Sequence, residues 1–262
     1  MSMIQPLAYV SPEAKLAQNV LIDPFVTIHK NVEIGEGTWI ASNVTIMEGA
    51  RIGKNVKIFP GSVISAIPQD LKFDGEQSLT IIGDNTVIRE CVTLNRGTSA
   101  SGRTIIGNNC LLMAYVHVAH DCIIGDHCIL ANAVQLAGHV EIGESAIIGG
   151  LSAVHQFAKI GTHVMISGGS LVRKDVPPYS KAAREPLSYE GVNSIGLRRR
   201  GFSSEKISEI QEIYRILYMR GYNNASAIKK IEAEMPATKE RDEILTFIKE
   251  SDRGIMKGFL SK

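Results

Sequence analysis

The strongest pattern in this sequence is an aliphatic residue at every sixth position from Ile4 to Val172. Of the 29 positions in that column, 26 are Ile, Leu or Val. An α-helix repeats its buried face every 3.6 residues and a β-strand every two, so neither produces a lone apolar column with a period of six. A hexapeptide repeat does, because each unit is one short strand plus a corner, and stacked units form a parallel β-helix. We therefore predict a mainly β protein built as a parallel β-helix, rather than a β-sandwich with strong alternation.

Glycine follows the column residue in several of these units, where a corner needs a small side chain or an unusual backbone conformation. These glycines include Gly35, Gly53, Gly83, Gly107, Gly125, Gly143 and Gly161. Three six-residue faces make one triangular coil of 18 residues, so the repeat region spans between nine and ten coils.

Two stretches, residues 65–79 and 95–103, break the pattern. They contain the three column positions that are not aliphatic, Asp70, Glu76 and Ala100. The column resumes after each stretch, so both are predicted to be loops expelled from a coil that otherwise continues. Loops on a rigid scaffold are common places for functional residues.

The six-residue period ends after Val172, and the composition then becomes helical. Ser203 is predicted to cap a helix that ends at Gly221, and further helices are predicted over residues 225–235 and 239–251. This unit could cover the open end of the β-helix, pack against a neighbouring subunit or bind a partner protein. Capping and packing alone would explain it.

We place the boundary between a β-helix domain and a C-terminal helical domain after residue 189, giving domains 1–189 and 190–262. The formal net charge of +1 argues against a chain-wide nucleic-acid or membrane-surface binder. The sequence shows no basic leader before an apolar run and no apolar stretch of about 18 residues, so we expect no membrane span and a cytoplasmic location. The four cysteines, Cys91, Cys110, Cys122 and Cys128, lack CxxC spacing, which predicts packed thiols rather than disulfides or structural zinc.

Residues 18 apart should lie at the same corner of successive coils, about 4.8 Å apart. This spacing produces two adjacent columns: His120, Gly138 and Gln156 in one, and Asp121, His139 and Phe157 in the other. His117 lies three residues before His120. An edge that carries imidazoles, a carboxylate, an amide and a bare glycine is unusual for a structural wall.

His120 is the leading candidate for a catalytic residue. A neutral imidazole can take a proton from a hydroxyl nucleophile at neutral pH, which contributes roughly 10²- to 10⁴-fold to a rate. Asp121 could fix the imidazole tautomer, and Gly138 offers an unobstructed backbone N–H to an oxyanion. Taken singly, each histidine has a simpler explanation as a solvated or stacked side chain.

Metal binding is the competing chemistry, because hexapeptide-repeat carbonic anhydrases assemble three zinc-binding histidines across a subunit boundary. The close His117–His120 pair, the neighbouring Asp121 and the long helical tail fit that class poorly. We therefore expect no metal.

Several segments carry a specific family resemblance: VHVAHDC (116–122), LAGHV (136–140), AVHQF (153–157), DVPPY (175–179), GLRRRGF (196–202), PQDLK (68–72) and NRGT (95–98). In combination they resemble the acyl-ACP:UDP-N-acetylglucosamine O-acyltransferases, which begin lipid A synthesis. The similarity spans essentially the whole chain. It implies a left-handed parallel β-helix that forms a homotrimer, a handedness that the usual crossover rule would not give.

The resemblance also implies a reaction, in which the 3-hydroxyl of UDP-N-acetylglucosamine attacks the thioester of a 3-hydroxyacyl chain on acyl carrier protein. It implies that His120 is the general base, Asp121 its orienting carboxylate and Gly138 the backbone oxyanion donor. It implies no cofactor other than the phosphopantetheine that carries the acyl donor. Further implied binding residues are Gln69, Asp70, Lys72, His117 and His139 around the sugar and acyl groups, and His155, Gln156, Asn193, Arg199 and Arg200 around the nucleotide or its phosphates.

Two residues depart from the family pattern. Asn95 stands where a histidine is common, and Ile195 stands where a glutamate is common, which puts nucleotide contacts at those points in question. Gly168 matches the position that limits acyl length, and a glycine leaves the groove open, so we expect a chain of about fourteen carbons or more.

A cluster of basic residues suits docking of acidic acyl carrier protein, although a solvated basic face is the alternative. Its members are Arg173, Lys174, Lys181, Arg184, Arg198, Arg199 and Arg200. A second functional reading is a catalytically silent β-helix scaffold whose tail binds a protein. The expelled loop with Asp70 and Lys72 beside a histidine-bearing edge argues against a scaffold, which needs neither.

Overall fold

The computed structural model describes residues 2–258 as a three-faced parallel β-helix followed by four α-helices. Face A contains Met3–Ile4, Leu21–Ile22, Trp39–Ile40, Lys57–Ile58, Val87–Ile88, Leu111–Leu112, Ile129–Leu130, Ile147–Ile148, Met165–Ile166, Ser180–Ala183, Ser188–Val192 and Lys257–Gly258. Face B contains Tyr9–Val10, Thr27–Ile28, Thr45–Ile46, Val63–Ala66, Thr93–Asn95, His117–Val118, Gln135–Leu136, Ala153–Val154 and Leu171–Val172. Face C contains Lys15–Leu16, Glu33–Ile34, Ala50–Ile52, Leu79–Ile82, Arg103–Ile106, Ile123–Ile124, Glu141–Ile142 and Lys159–Ile160.

The chain passes from face A to B to C in each coil, so the prism has three edges, named here AB, BC and CA after the faces that they join. Ile22 pairs with Ile40 and Ile40 with Ile58, a step of 18 residues. Ile58 then pairs with Ile88 and Ile88 with Leu112, steps of 30 and 24 residues. The excess lengths are multiples of six, which is why the column keeps its phase across the interruptions. The prediction of two expelled loops is confirmed.

Both loops leave the prism at the BC edge. We call residues 67–78 the first loop and residues 96–102 the second loop. The first follows the face B strand Val63–Ala66, and the second follows the next face B strand, Thr93–Asn95. They are therefore neighbours on consecutive coils.

Aliphatic side chains fill the interior of the prism. The predicted column is buried, as at Ile28 and Ile40, and so is a second column two residues before it, as at Val26. Each such branched side chain contributes roughly 1.5–3 kcal/mol relative to exposure. Three cysteines, Cys110, Cys122 and Cys128, occupy the second column and are buried free thiols, as predicted for small packed hydrophobes. The prediction of a packed thiol is wrong at Cys91, which is free but exposed.

The corner glycines are explained by the close approach of successive coils. A Cβ built on Gly35 would lie 2.5 Å from the backbone carbon of Gly53 in the next coil, which is closer than real Cβ atoms approach. The conformational demand of the corner falls on other residues, which adopt left-handed φ values, such as Asn31 at 53° and Asn55 at 53°. The glycine column is thus set by stacking distance.

The C-terminal unit contains α1 (Ser194–Arg199), α2 (Ser204–Met219), α3 (Asn224–Glu234) and α4 (Lys239–Lys249). The three helices predicted from sequence are α2 to α4. Ser203 is the N-cap of α2, with its side chain accepting from the N–H of Lys206, as predicted. Helix α1, capped by Asn193, was not predicted because six residues are too few to show a helical period.

The helical unit packs on the last coils of the β-helix. The buried Tyr214 of α2 donates its hydroxyl proton to the carbonyl of Pro178, and Thr162 donates to Glu243 of α4. The strand Lys257–Gly258 returns to pair with Ser188–Val192 on face A. These contacts favour the capping role among the alternatives for the tail. Strand Ser188–Val192 spans the proposed domain boundary after residue 189, which stays a prediction.

Candidate active site

The predicted catalytic residues lie together at the BC edge, on the coils that follow the two loops. The backbone N–H of His139 donates to the carbonyl of His120 over 3.0 Å, and that of Phe157 donates to Gly138 over 3.2 Å. These bonds join successive coils at the same corner. The 18-residue spacing therefore places His120 beside Gly138 and Asp121 beside His139, as predicted.

His120 and Asp121 form a buried hydrogen-bonded pair. His120 Nδ1 lies 2.7 Å from Asp121 Oδ2, and the two residues are 7% and 4% exposed. Asp121 has a left-handed φ of 60°, a conformation that aspartate tolerates better than most residues. That turn directs the carboxylate back toward the preceding imidazole.

The second loop supplies further hydrogen bonds to Asp121. Thr98 donates through its backbone N–H to Oδ1 at 3.0 Å and through its hydroxyl to Oδ2 at 2.7 Å, and the hydroxyl of Ser101 donates to Oδ1. Burial alone would raise the pKa of Asp121, but the bonds from Ser101, His120 and Thr98 outweigh it and lower the pKa to about 2. The carboxylate is therefore ionised at neutral pH and accepts a hydrogen bond from the Nδ1–H of His120.

This arrangement leaves His120 Nε2 as the available proton acceptor. Gly138 lies directly against the ring, since a Cβ built on it would be 2.6 Å from His120 Cε1 and 2.7 Å from Nε2. No other residue type fits there without displacing the imidazole. The ring of His139 meets that of His120 edge-on at 5.1 Å and stacks on Phe157 at 4.5 Å, which fixes the wall of the site.

Within residues 2–258, one group of histidine, cysteine and acidic side chains has ligand atoms close enough to hold a metal ion: His120, Asp121 and His139, within 4.8 Å. Both oxygens of Asp121 already accept hydrogen bonds from neighbouring hydroxyl groups, and His120 Nδ1 is hydrogen-bonded to that carboxylate. This hydrogen bonding favours proton transfer over metal coordination. The expectation that no metal is bound stays a prediction.

A cleft of about 520 Å³ lies beside Asp121 and is lined by that residue, His139 and Phe157 together with Lys159 and Arg253. His117 lies on the face B strand before the corner, and its Nδ1 is 2.8 Å from the hydroxyl of Thr93 in the preceding coil. Burial lowers the pKa of His117, so the ring is neutral at pH 7.

Other predicted binding residues lie along the same edge. Gln69, Asp70 and Lys72 are on the first loop, where Asp70 Oδ1 accepts from the N–H of Lys72 over 3.0 Å. Gln156 is half-buried and His155 exposed, three coils beyond the second loop. Among the described residues, no hydrogen bond or ion pair of this chain connects the first-loop residues with His120.

Four predicted site residues lie at the other two edges. Asn193 donates to the carbonyl of His163 over 2.9 Å and Arg200 to that of Ser145 over 2.9 Å, both on the CA edge. Asn193 and Arg199 line a cavity of about 340 Å³ together with Lys181. Gly168 is exposed at the AB edge. One chain therefore does not bring these residues together with His120.

The departures from the family pattern have distinct surroundings. Asn95 is buried and donates to the carbonyl of Ile67 at the root of the first loop over 2.9 Å, so its role here is to anchor that loop. Ile195 is 66% exposed and lines the cavity that contains Asn193. It offers an apolar surface where the family pattern would place a carboxylate.

The basic cluster is partly neutralised. Arg173 pairs with Glu185, and Arg184 pairs with Glu190. Arg198 and Arg199 are exposed in the last turn of α1, where they also stabilise the negative end of the helix. Docking of acyl carrier protein on this basic cluster stays a prediction, with a solvated basic face as its alternative.

The sequence reasoning missed the residues that hold Asp121. Thr98 belongs to the NRGT segment, which contributes only to the family resemblance, and Ser101 lies in the predicted second loop, where no site residue is predicted. The signal that could have found them is the position of the second loop, one coil before His120 on the same edge.

Comparison with known proteins gives a consistent result. A family model described as "Udp N-acetylglucosamine O-acyltransferase; Domain 2" matches residues 175–256. A hexapeptide-repeat model of bacterial transferases matches residues 103–138, and a model of the GMPPB C-terminal domain matches residues 4–106. The helical unit and the repeats thus match separately described modules.

Full-length relatives are similar throughout. The acyl-[acyl-carrier-protein]–UDP-N-acetylglucosamine O-acyltransferase of Sulfurihydrogenibium sp. is 62% identical over 253 residues, covering 96% of this chain and 93% of that protein. The enzyme of the same name from Chlorobium phaeobacteroides is 62% identical over 255 residues, covering 97% of both. The crystal structure of the UDP-N-acetylglucosamine acyltransferase of Bacteroides fragilis superposes with a TM-score of 0.96 at 55% identity, covering 97% of this chain and 100% of that one. The predicted fold class is confirmed.

Proposed function

Because this chain belongs to the acyl-[acyl-carrier-protein]–UDP-N-acetylglucosamine O-acyltransferase family, we propose that it catalyses the first step of lipid A biosynthesis with His120 as general base. The acceptor is the 3-hydroxyl of UDP-N-acetylglucosamine, and the donor is a 3-hydroxyacyl thioester on acyl carrier protein. The observation that carries the mechanism is the buried His120–Asp121 pair, with Nε2 of His120 left free beside Gly138.

The reaction follows from the roles of these atoms. His120 Nε2 takes the proton of the attacking 3-hydroxyl while the sugar oxygen bonds to the thioester carbon. Asp121 stabilises the imidazolium that forms, since its carboxylate is ionised and receives the Nδ1–H. Collapse of the tetrahedral intermediate breaks the carbon–sulfur bond, and His120 returns the proton to the leaving phosphopantetheine thiol.

Gly138 has two roles in this proposal. Its missing side chain makes room for the imidazole, and its backbone N–H faces the developing oxyanion. A preorganised donor of this kind contributes about 3 kcal/mol in known cases. No cofactor takes part other than the phosphopantetheine of the donor.

The site requires more than one copy of the chain. The proposed base lies at the BC edge, and the proposed acyl ruler Gly168 lies at the AB edge. The proposed nucleotide-binding residues Asn193 and Arg200 are hydrogen-bonded to backbone carbonyls at the CA edge. Different edges of one prism cannot face a common substrate, but edges of neighbouring copies can. This supports a homotrimer with active sites between subunits.

The remaining proposals concern partners and location. The exposed Arg198 and Arg199 suit an acidic acyl carrier protein. No helix among the described residues is long and apolar enough to cross a bilayer. We propose that the enzyme works in the cytoplasm.

The mechanism is tested by His120→Ala, assayed with 3-hydroxyacyl carrier protein and UDP-N-acetylglucosamine. Loss of the base should lower kcat by about 10²- to 10⁴-fold. The matched control is His127→Ala, an exposed histidine at the CA edge, which should retain wild-type turnover. Near-normal kcat in His120→Ala would remove the residue from the proposed role, provided that both variants keep the wild-type oligomeric state.

A further inference from the structure

Glu76 joins the two loops through a single carboxylate. Its Oε2 accepts from the backbone N–H of Asp74 within the first loop over 2.9 Å. Its Oε1 accepts from the backbone N–H of Ser99 on the second loop over 2.8 Å. Glu76 is also one of the three column positions where the repeat would place an aliphatic residue, so its side chain is not explained by the core.

Hydrogen bonds from backbone N–H groups lower the pKa of the Glu76 carboxyl group; the largest effect comes from its own N–H, followed by those of Asp74 and Ser99. Burial and the negative charge of Asp121 raise this pKa, but their combined effect is smaller. The group is therefore an anion at neutral pH. An ionised acceptor forms stronger hydrogen bonds than a neutral one.

The residues on either side of Ser99 hold the catalytic carboxylate. Thr98 and Ser101 donate three hydrogen bonds to Asp121, which in turn holds His120 Nδ1 at 2.7 Å. A continuous set of contacts thus runs from the first loop, through Glu76 and the second loop, to the imidazole. The first loop also carries Gln69, Asp70 and Lys72, the proposed substrate-binding residues.

The loop roots are held independently of Glu76. The N–H of Leu79 donates to the carbonyl of Gly102 over 2.9 Å, and that of Arg96 donates to Ala66 over 2.9 Å. Asn95 adds its bond to Ile67. Glu76 is therefore not needed to close either loop, and its contacts link the loop bodies.

We propose that Glu76 is a positioning residue that couples the substrate-binding first loop to the orientation of the His120–Asp121 pair through Ser99, Thr98 and Ser101. The proposal rests on the proposed function of this site. Substrate held by the first loop fixes Glu76, Glu76 fixes the backbone at Ser99, and the second loop then holds Asp121 in the orientation that aligns His120. Loss of the link leaves the base in place but less well aligned, which lowers kcat more than it raises KM.

The experiment compares Glu76→Gln with Asp74→Asn in the full-length enzyme. Glu76→Gln replaces a charged acceptor by a neutral amide of the same size, and we expect kcat to fall about 10-fold. Asp74→Asn removes a charge two residues away but keeps the backbone N–H that donates to Glu76, and it should change kcat by less than about 2-fold. Equal kcat values for Glu76→Gln and the wild type would overturn the proposal.

A double-mutant cycle separates coupling from a purely structural effect. Thr98→Val removes the hydroxyl bond to Asp121, and Thr98→Ser should restore kcat. If Glu76 acts in part through the Thr98 hydroxyl, the Glu76→Gln/Thr98→Val enzyme should lose less kcat than the sum of the two single losses, because Thr98→Val has already removed one of the bonds that Glu76 positions. Fully additive losses in kcat contradict the proposed route.

A readout independent of turnover is the low-field proton resonance of the His120 Nδ1–H, which should shift in Glu76→Gln and stay in place in Asp74→Asn. An unshifted resonance in Glu76→Gln would also overturn the proposal. Failure of the coupling is distinguishable from failure of the proposed function. An inactive wild type contradicts the function, whereas an active wild type, a defective His120→Ala and a normal Glu76→Gln contradict only the coupling.

Discussion

The chemistry of this site depends on one residue in an unusual backbone conformation. The corner column Asp121, His139 and Phe157 adopts φ values of 60°, 60° and 63°, so each corner turns through a left-handed residue. Placing an aspartate in this column turns a structural corner into a carboxylate directed at its own neighbour. The same conformation at His139 and Phe157 produces the aromatic wall instead.

Asp121 should make the stability of the protein depend on pH in a defined range. Its pKa is about 2 in the folded protein against an ordinary value of 3.8, so the carboxylate stabilises the fold above pH 4, and this stabilisation is lost as the pH falls through 2. Its size is up to about 2 kcal/mol. Thermal unfolding of wild type and Asp121→Asn at equal protein concentration should show a gap at pH 6 that closes between pH 4 and pH 2. A gap that persists unchanged at pH 2 would contradict the assignment.

Glycines at the coil corners differ in what their missing side chain makes room for: the catalytic imidazole at Gly138 and the backbone of the next coil at Gly143. A Cβ added at Gly138 would lie 2.6 Å from the His120 ring, whereas a Cβ added at Gly143 would lie 2.6 Å from the backbone nitrogen of Thr162 on the CA edge. A side chain can move aside, but backbone held in the stack cannot. We expect Gly138→Ala to lower kcat by about 10²-fold through a displaced base, with little change in melting temperature.

Gly143→Ala serves as the matched control and should show the opposite pattern, a lower melting temperature with normal kcat per folded enzyme. Both variants place a methyl group in a coil corner, so a common loss of stability would appear in both. A Gly138→Ala enzyme with wild-type kcat would show that the close packing of Gly138 against the His120 ring is not needed for catalysis.

Elements that follow the six-residue period were predictable, and those that leave it were not. The column gave the coils, the two loop positions and the neighbours of His120, since stacking converts a sequence step of 18 into contact. The path of each loop carries no period, so the sequence shows that the second loop lies one coil before His120 but not which atoms of Thr98, Ser101 and Glu76 form hydrogen bonds there. Helix α1 was missed for the same reason, because its six residues show no repeating face.

At the scale of the whole molecule, the proposed site divides among the three edges of the prism. The 18-residue spacing predicts which residues share an edge of one prism, but it does not predict which edges of different copies meet. His120 at the BC edge and Gly168 at the AB edge can therefore act on one acyl chain only if they belong to different copies. The length of the donor then becomes a property of the assembly.

The proposed acyl ruler is tested by Gly168→Met. A Cβ on Gly168 would lie 3.0 Å from the carbonyl oxygen of Gly150, and a longer side chain must extend from there into the space outside the edge. We expect the preferred donor to become shorter, since each excluded CH₂ costs about 0.8 kcal/mol of burial. Phe25→Met, an exposed change at the same edge near the opposite end of the prism, should leave the donor profile unchanged.

Mixed assemblies of the proposed trimer then test whether base and ruler come from different copies. His120→Ala trimers should be inactive, and Gly168→Met trimers should be inactive with the long donor. A mixed trimer contains sites in which His120 of a Gly168→Met chain faces Gly168 of a His120→Ala chain, so co-refolding the two variants should restore turnover of the long donor. If base and ruler belonged to one chain, every site in the mixture would carry one defect or the other, and no long-donor activity would return.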